Sequence, residues 1–151
     1  MKRKSNIIFN IICLFILLST TIFLVIMWNK IPSVVVTHYD FMGHADGFGK
    51  KSSILLSPIM AWVIFISITV LSLFPSIWNT GVKITEENRD RVYGVILNML
   101  NILKTVIVFV FCYITVCSAL EYRLPGWLTV VEIIAIFGTI IVSIVKLYKV
   151  R

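Results

Sequence analysis

Four long apolar stretches decide what this chain can fold into. They run over residues 7–27, 54–74, 102–120 and 127–147. A segment of about 20 mostly apolar residues is long enough to cross the roughly 30 Å hydrocarbon core of a bilayer. Lipid offers no partner to free backbone N–H and C=O groups, so each stretch must close its hydrogen bonds internally as a helix. Composition agrees: 59% of the residues are hydrophobic and only 14% charged. Soluble domains average nearer half apolar and a quarter charged, so the membrane is the expected solvent.

The expected fold is therefore all-α. It is a four-helix transmembrane bundle, with an extracytoplasmic loop after helix 1 and a cytoplasmic amphipathic helix before helix 3. Four spans in 151 residues leave no length for a separate soluble unit, so residues 1–151 read as a single multi-pass membrane domain. The start "MKRK" suits a signal peptide. The 21-residue apolar run that follows exceeds the roughly 7–15 residues of a signal core, and it reads as an uncleaved anchor.

Charge sets the expected orientation. Four spans put both termini on one side, with Lys2, Arg3, Lys4, Lys83, Arg89, Arg91, Lys104, Lys146, Lys149 and Arg151. The other side holds Lys30, Lys50, Lys51 and Arg123. The positive-inside rule then places both termini in the cytoplasm of a cell membrane. The net charge of +7 faces the inner leaflet, where basic groups meet anionic headgroups, so no nucleic-acid partner is expected. Trp28, Trp78, Trp127, Tyr122 and Tyr148 stand at span ends as an aromatic belt. Trp62, inside a span, is expected to pack on a neighbour. Cys13, Cys112 and Cys117 all fall inside spans, where free cysteines behave as small buried hydrophobes.

The polar exception is the loop Trp28–Ser53, which carries "THYDFMGHADGFGKK". A Pro turn and a β-prone run open it, and Asp-Gly and Gly-Phe-Gly read as turn signals. At 26 residues it is long for a connector, and long loops are usually functional or disordered. His38, Asp40, His44 and Asp46 are good ligands for transition metals, yet their spacing follows no metal motif with a physical basis. No nucleophile motif frames Ser52 or Ser53. The expectation is a recognition loop with no catalytic residue, metal or cofactor.

Two ionisable groups fall at span depth. Thr85 is the expected cap of an amphipathic stretch that runs to Lys104 along the membrane surface, with Lys104 snorkelling to the headgroups. The alternative has this helix entering the membrane near Val95 and burying Lys104, which would be costly and functional. Glu132 lies five residues past Trp127. It is either an interfacial acid paired with Arg123 or a site within the membrane.

The stretch 31–59 resembles the DUF1648 family, through Pro32, His38, Tyr39, Asp40, Gly43, Asp46, Gly47, Lys50 and Pro58. "VKITEENRDRVYGVILNMLNILK" is similar to the cytoplasmic segment of its short members. The domain is similar to the amino-terminal part of SdpI-type immunity proteins of Gram-positive bacteria. Those multi-pass proteins protect a producer from a secreted peptide toxin and take part in signalling. The resemblance implies a non-enzymatic sensing or immunity-like role. His38, Tyr39, Asp40, Gly43, Asp46, Gly47 and Lys50 would be the recognition residues, and an extracellular peptide or another membrane protein the partner. The competing reading is a small transporter subunit or a metal-dependent membrane enzyme using Glu132 with His38 and Asp46.

Overall fold

The computed structural model describes residues 3–150. Four helices, α1 (Arg3–Met27), α2 (Leu56–Leu71), α3 (Arg89–Ala119) and α4 (Gly126–Val150), are long and apolar enough to cross a membrane once their flanking turns are counted. They mark the chain as a multi-pass membrane protein. Large apolar side chains such as Phe15, Val25, Leu56 and Ile134 lie exposed on the helix surfaces, as lipid-facing helices require. Lys2 and Arg151, both counted on the inner side above, lie outside the described residues.

α3 is the axis of the bundle. α1 and α2 each pack on it more extensively than on each other, and α4 leans on its remaining face. Contacts of Asn10 with Lys104 and of Cys13 with Thr105 show that α1 and α3 run in the same direction. Cys13, Leu17, Ala61, Phe65, Val108 and Cys112 form the core where α1, α2 and α3 meet. All three cysteines are free and buried, as their place in the spans suggests. Trp62 packs edge-on against Phe65 and donates its indole N–H to Thr21 Oγ1 (3.3 Å).

The expected amphipathic helix and third span are one continuous helix of 31 residues. Its start is capped reciprocally. The Thr85 hydroxyl accepts from the Asn88 N–H (3.3 Å), and Asn88 Oδ1 accepts from the Thr85 N–H (2.8 Å). Thr85 thus satisfies one of the backbone donors that a helix start leaves without a partner. The far end closes in a Schellman arrangement, with Tyr122 N–H to the Cys117 carbonyl (2.9 Å) and Glu121 N–H to the Ser118 carbonyl (3.4 Å). Glu121 occupies the left-handed position, φ 56°.

The loop after α1 is an ordered β-hairpin. β1 (Val34–Tyr39) pairs antiparallel with β2 (Ala45–Lys50). Val34, Val35 and Val36 are β-branched and suit the pleated strand. The expected turn at Asp46-Gly47-Phe48-Gly49 is not a turn: these residues lie in β2. The chain reverses at Asp40–Gly43 instead, where the Gly43 N–H meets the Asp40 carbonyl (2.9 Å). Gly43 takes φ +81°, open to glycine at no steric cost. The β2 glycines serve close approach. A Cβ on Gly47 would come 2.8 Å from His38 Cβ, and one on Gly49 would come 2.8 Å from Thr37 Cγ2.

Candidate functional site

The hairpin is held against the junction of α3 and α4. Val35 is buried with Leu24, Ile31, Ile54 and Ala119. The Ser118 hydroxyl donates to the Val36 carbonyl (2.6 Å). Tyr39 Oη donates to the Tyr122 carbonyl (3.2 Å), and the Leu124 N–H donates to the Gly43 carbonyl (3.1 Å). A Cβ on Gly43 would reach within 2.1 Å of the Leu124 carbonyl oxygen, so the hairpin tip and this turn are in direct backbone contact.

The other surface of the hairpin is open. His38 Nδ1 contacts Asp46 Oδ1 at 2.6 Å, with the His38 side chain 70% exposed. The pair exists because the register shifts on both sides of His38: Val36 faces Phe48, His38 faces Gly47 and Tyr39 faces Ala45. Asp46 is thereby left out of the ladder, as a bulge residue is, and reaches His38. At the turn His44 Nδ1 meets Asp40 Oδ2 (3.0 Å), and the His44 N–H donates to Asp40 Oδ1 (2.8 Å). This backbone donor, with the His44 ring, holds the Asp40 carboxyl below its ordinary range. Burial pushes the Tyr39 phenol up to about 12, with the Cys117 thiol adding to the shift. Phe41 and Met42 at the tip and Phe48 on β2 are exposed apolar side chains beside these pairs.

The four loop ligands therefore form two separate pairs. No group of three or more His, Cys, Asp or Glu residues able to hold a metal occurs among the described residues. Of the residues singled out by sequence, His38, Asp46 and Gly47 come together at mid-hairpin. Asp40 and Gly43 form the turn, Tyr39 faces back to Tyr122, and Lys50 lies exposed at the base opposite Val34. His44, left out of the family pattern, is the partner that orders Asp40.

Lys104 does not snorkel. It is fully buried. Its Nζ donates to Asn10 Oδ1 and to Thr69 Oγ1 (3.2 Å) and lies 5.5 Å from the centroid of the Phe65 ring. The reason is register: Asn101, Lys104 and Val108 share the stripe of α3 that faces α1 and α2, so the side chain meets protein on every side. Its hydrogen-bond partners are neutral, and no carboxylate stands within ion-pair distance among the described residues. One turn toward the N-terminal end, Asn101 is fully buried with neither side-chain polar atom bonded, and Asn6 Oδ1 is also unpartnered. Sequence reasoning passed over Asn6, Asn10 and Thr69. The signal was present in two asparagines four apart on an apolar helix, matched by Asn101 and Lys104 three apart on another.

Glu132 joins neither group. It lines an apolar groove with Ile12, Ile16, Phe109 and Trp127. It forms no ion pair with Arg123, nor with His38, which is taken by Asp46.

Residues 15–61 match the family model described as Domain of unknown function (DUF1648). The match takes in the C-terminal half of α1, the hairpin and the start of α2. No curated protein and no solved structure matches the chain.

Proposed function

We propose that this chain is a non-enzymatic recognition protein of the cell membrane. Its hairpin meets an extracellular peptide or a membrane partner, in an immunity-like or sensing role. The observation that carries this reading is the two-sidedness of the hairpin. One side is pinned to the α3–α4 turn through Val36, Tyr39 and Gly43, and the other exposes His38, Asp46 and the apolar tip. A preordered surface loses little conformational entropy on binding. Exposed aromatics beside polar His–Asp pairs are the residue types that anchor protein contacts. The excess of Lys and Arg at the opposite end of the bundle supports an outward-facing hairpin and cytoplasmic termini.

The test is deletion followed by complementation, under challenge with secreted peptide toxins from related strains. Wild type is expected to restore resistance, and His38→Ala/Asp46→Ala is expected to fail at equal membrane abundance. Full rescue by the double variant would remove the hairpin from the recognition surface.

One observation favours a second reading, transport. Ionisable residues buried within spans commonly mark ion or proton pathways, and Lys104 is such a residue. In that case Lys104→Met would abolish the phenotype while the hairpin variant retained it.

A further inference from the structure

At the hairpin end of the bundle, α1 and α2 part. An apolar groove of about 490 Å3 opens between Leu24, Val25 and Trp28 on one wall and Leu55, Ile59 and Trp62 on the other. Its one hydroxyl is already engaged, because Thr21 Oγ1 donates to the Leu17 carbonyl (2.8 Å) and accepts from Trp62. The groove therefore offers an occupant chiefly dispersion and burial, with its hydroxyl and the Trp62 indole N–H already paired.

Its length selects the occupant. From Thr21 to Trp28 the helix rises roughly 10 Å at 1.5 Å per residue. That fits within one leaflet of hydrocarbon, about 15 Å, whereas a partner helix would seek contact along the full 30 Å or so. The mouth selects the headgroup. Lys51 Nζ stands 4.7 Å from the centroid of the Trp28 ring, so the tryptophan that walls the groove also holds a cation at its entrance. Lys30 and Lys50 are exposed close by in the chain. The acids of the hairpin are engaged elsewhere, Asp46 by His38 and Asp40 by His44. Among the described residues no carboxylate stands within ion-pair distance of these three lysines.

We propose that this groove is a binding site for an anionic phospholipid. One acyl chain lies between Val25 and Ile59, and the phosphate meets Lys51 at the rim. Trp28 links the two halves of the site, packing on the chain with one part and carrying the lysine with its ring. A zwitterionic lipid would leave the lysines without a net counter-charge, so the site discriminates by headgroup as well as by chain.

The test is native mass spectrometry of the full chain, released from a mild detergent with equal amounts of phosphatidylglycerol and phosphatidylcholine. Wild type is expected to retain one phosphatidylglycerol in preference to phosphatidylcholine by about fivefold, the ratio that one lysine–headgroup contact supplies. Lys51→Gln is expected to bring that ratio close to one. Val25→Trp, or Ile59→Trp from the opposite wall, is expected to lose the adduct of either lipid while circular dichroism shows retained helicity. Lys83→Gln, distant from the groove in the loop before α3, should leave the ratio unchanged. Equal retention of the two lipids by wild type would overturn the proposal. So would a preference that survives Lys51→Gln, or a lipid-free protein dimer abolished by Val25→Trp.

Discussion

Gly43 shows how much one residue can carry. It combines a backbone angle of φ +81° with a carbonyl placed where a side chain would begin. Left-handed backbone costs other L-residues about 1–2 kcal/mol, and here the Leu124 oxygen adds a collision. Gly43→Ala is expected to lower stability by about 2 kcal/mol or more and to free the hairpin tip. Thermal melting in detergent, with limited proteolysis at residues 40–44, checks both effects. Asp40 makes a second prediction at this scale. Its carboxyl is held below the ordinary range because its anion accepts the His44 N–H. A depressed folded value means stability that is present above the unfolded carboxylate value, near 4, and lost as pH falls through the folded value. The turn is therefore expected to loosen only in acid below about pH 4, and Asp40→Asn should remove that acid transition. Amide exchange at Gly43 and His44 across pH 3–6 reads the difference.

At the scale of elements, hydropathy placed the helices well and the hairpin poorly. The spans were legible because a bilayer accepts long apolar helices and little else. Ends shifted by a few residues, as at α2, which stops at Leu71 where a span to Phe74 was expected. The hairpin was harder to see. Its β-prone Val34–Val36 run was visible, but the glycines that look like turn signals are strand residues making room for His38 and Thr37. Turn chemistry read from dipeptides cannot distinguish a glycine that bends the chain from one that lets a neighbouring strand approach. The end of α3 yields a prediction of the same kind. Glu121 holds the left-handed C′ position usually given to glycine, and both Schellman hydrogen bonds are donated by backbone N–H groups, its own and that of Tyr122, so neither needs its side chain. Glu121→Gly should remove the backbone strain and raise stability by up to about 1 kcal/mol. A lower melting temperature would show that the Glu121 side chain supplies a contact worth more than the strain it imposes.

The whole molecule turns on the buried polar layer where α1, α2 and α3 meet. Snorkelling was the expectation for Lys104 because long cationic side chains near helix ends usually reach the headgroups. One continuous α3, with helices on the face that carries Lys104, removes that escape. The outcome depends on which helices neighbour which, and one chain's hydropathy does not encode that. Asn101 tests whether this layer exists for stability. It is fully buried, and neither its amide N–H2 nor its amide oxygen has a partner. An unsatisfied buried polar group costs about 1–3 kcal/mol, and leucine has nearly the same shape without that cost. If the layer only holds helices together, Asn101→Leu should be both more stable and fully active. If the layer serves recognition or transport, the same variant should be more stable by about 1–2 kcal/mol and lose function, since functional sites are where local stability is commonly given up. Denaturation of the reconstituted protein, measured beside the complementation assay, separates the two. A variant less stable than wild type would show that Asn101 is hydrogen-bonded in the membrane through internal water, and would make the layer a hydrated structural joint.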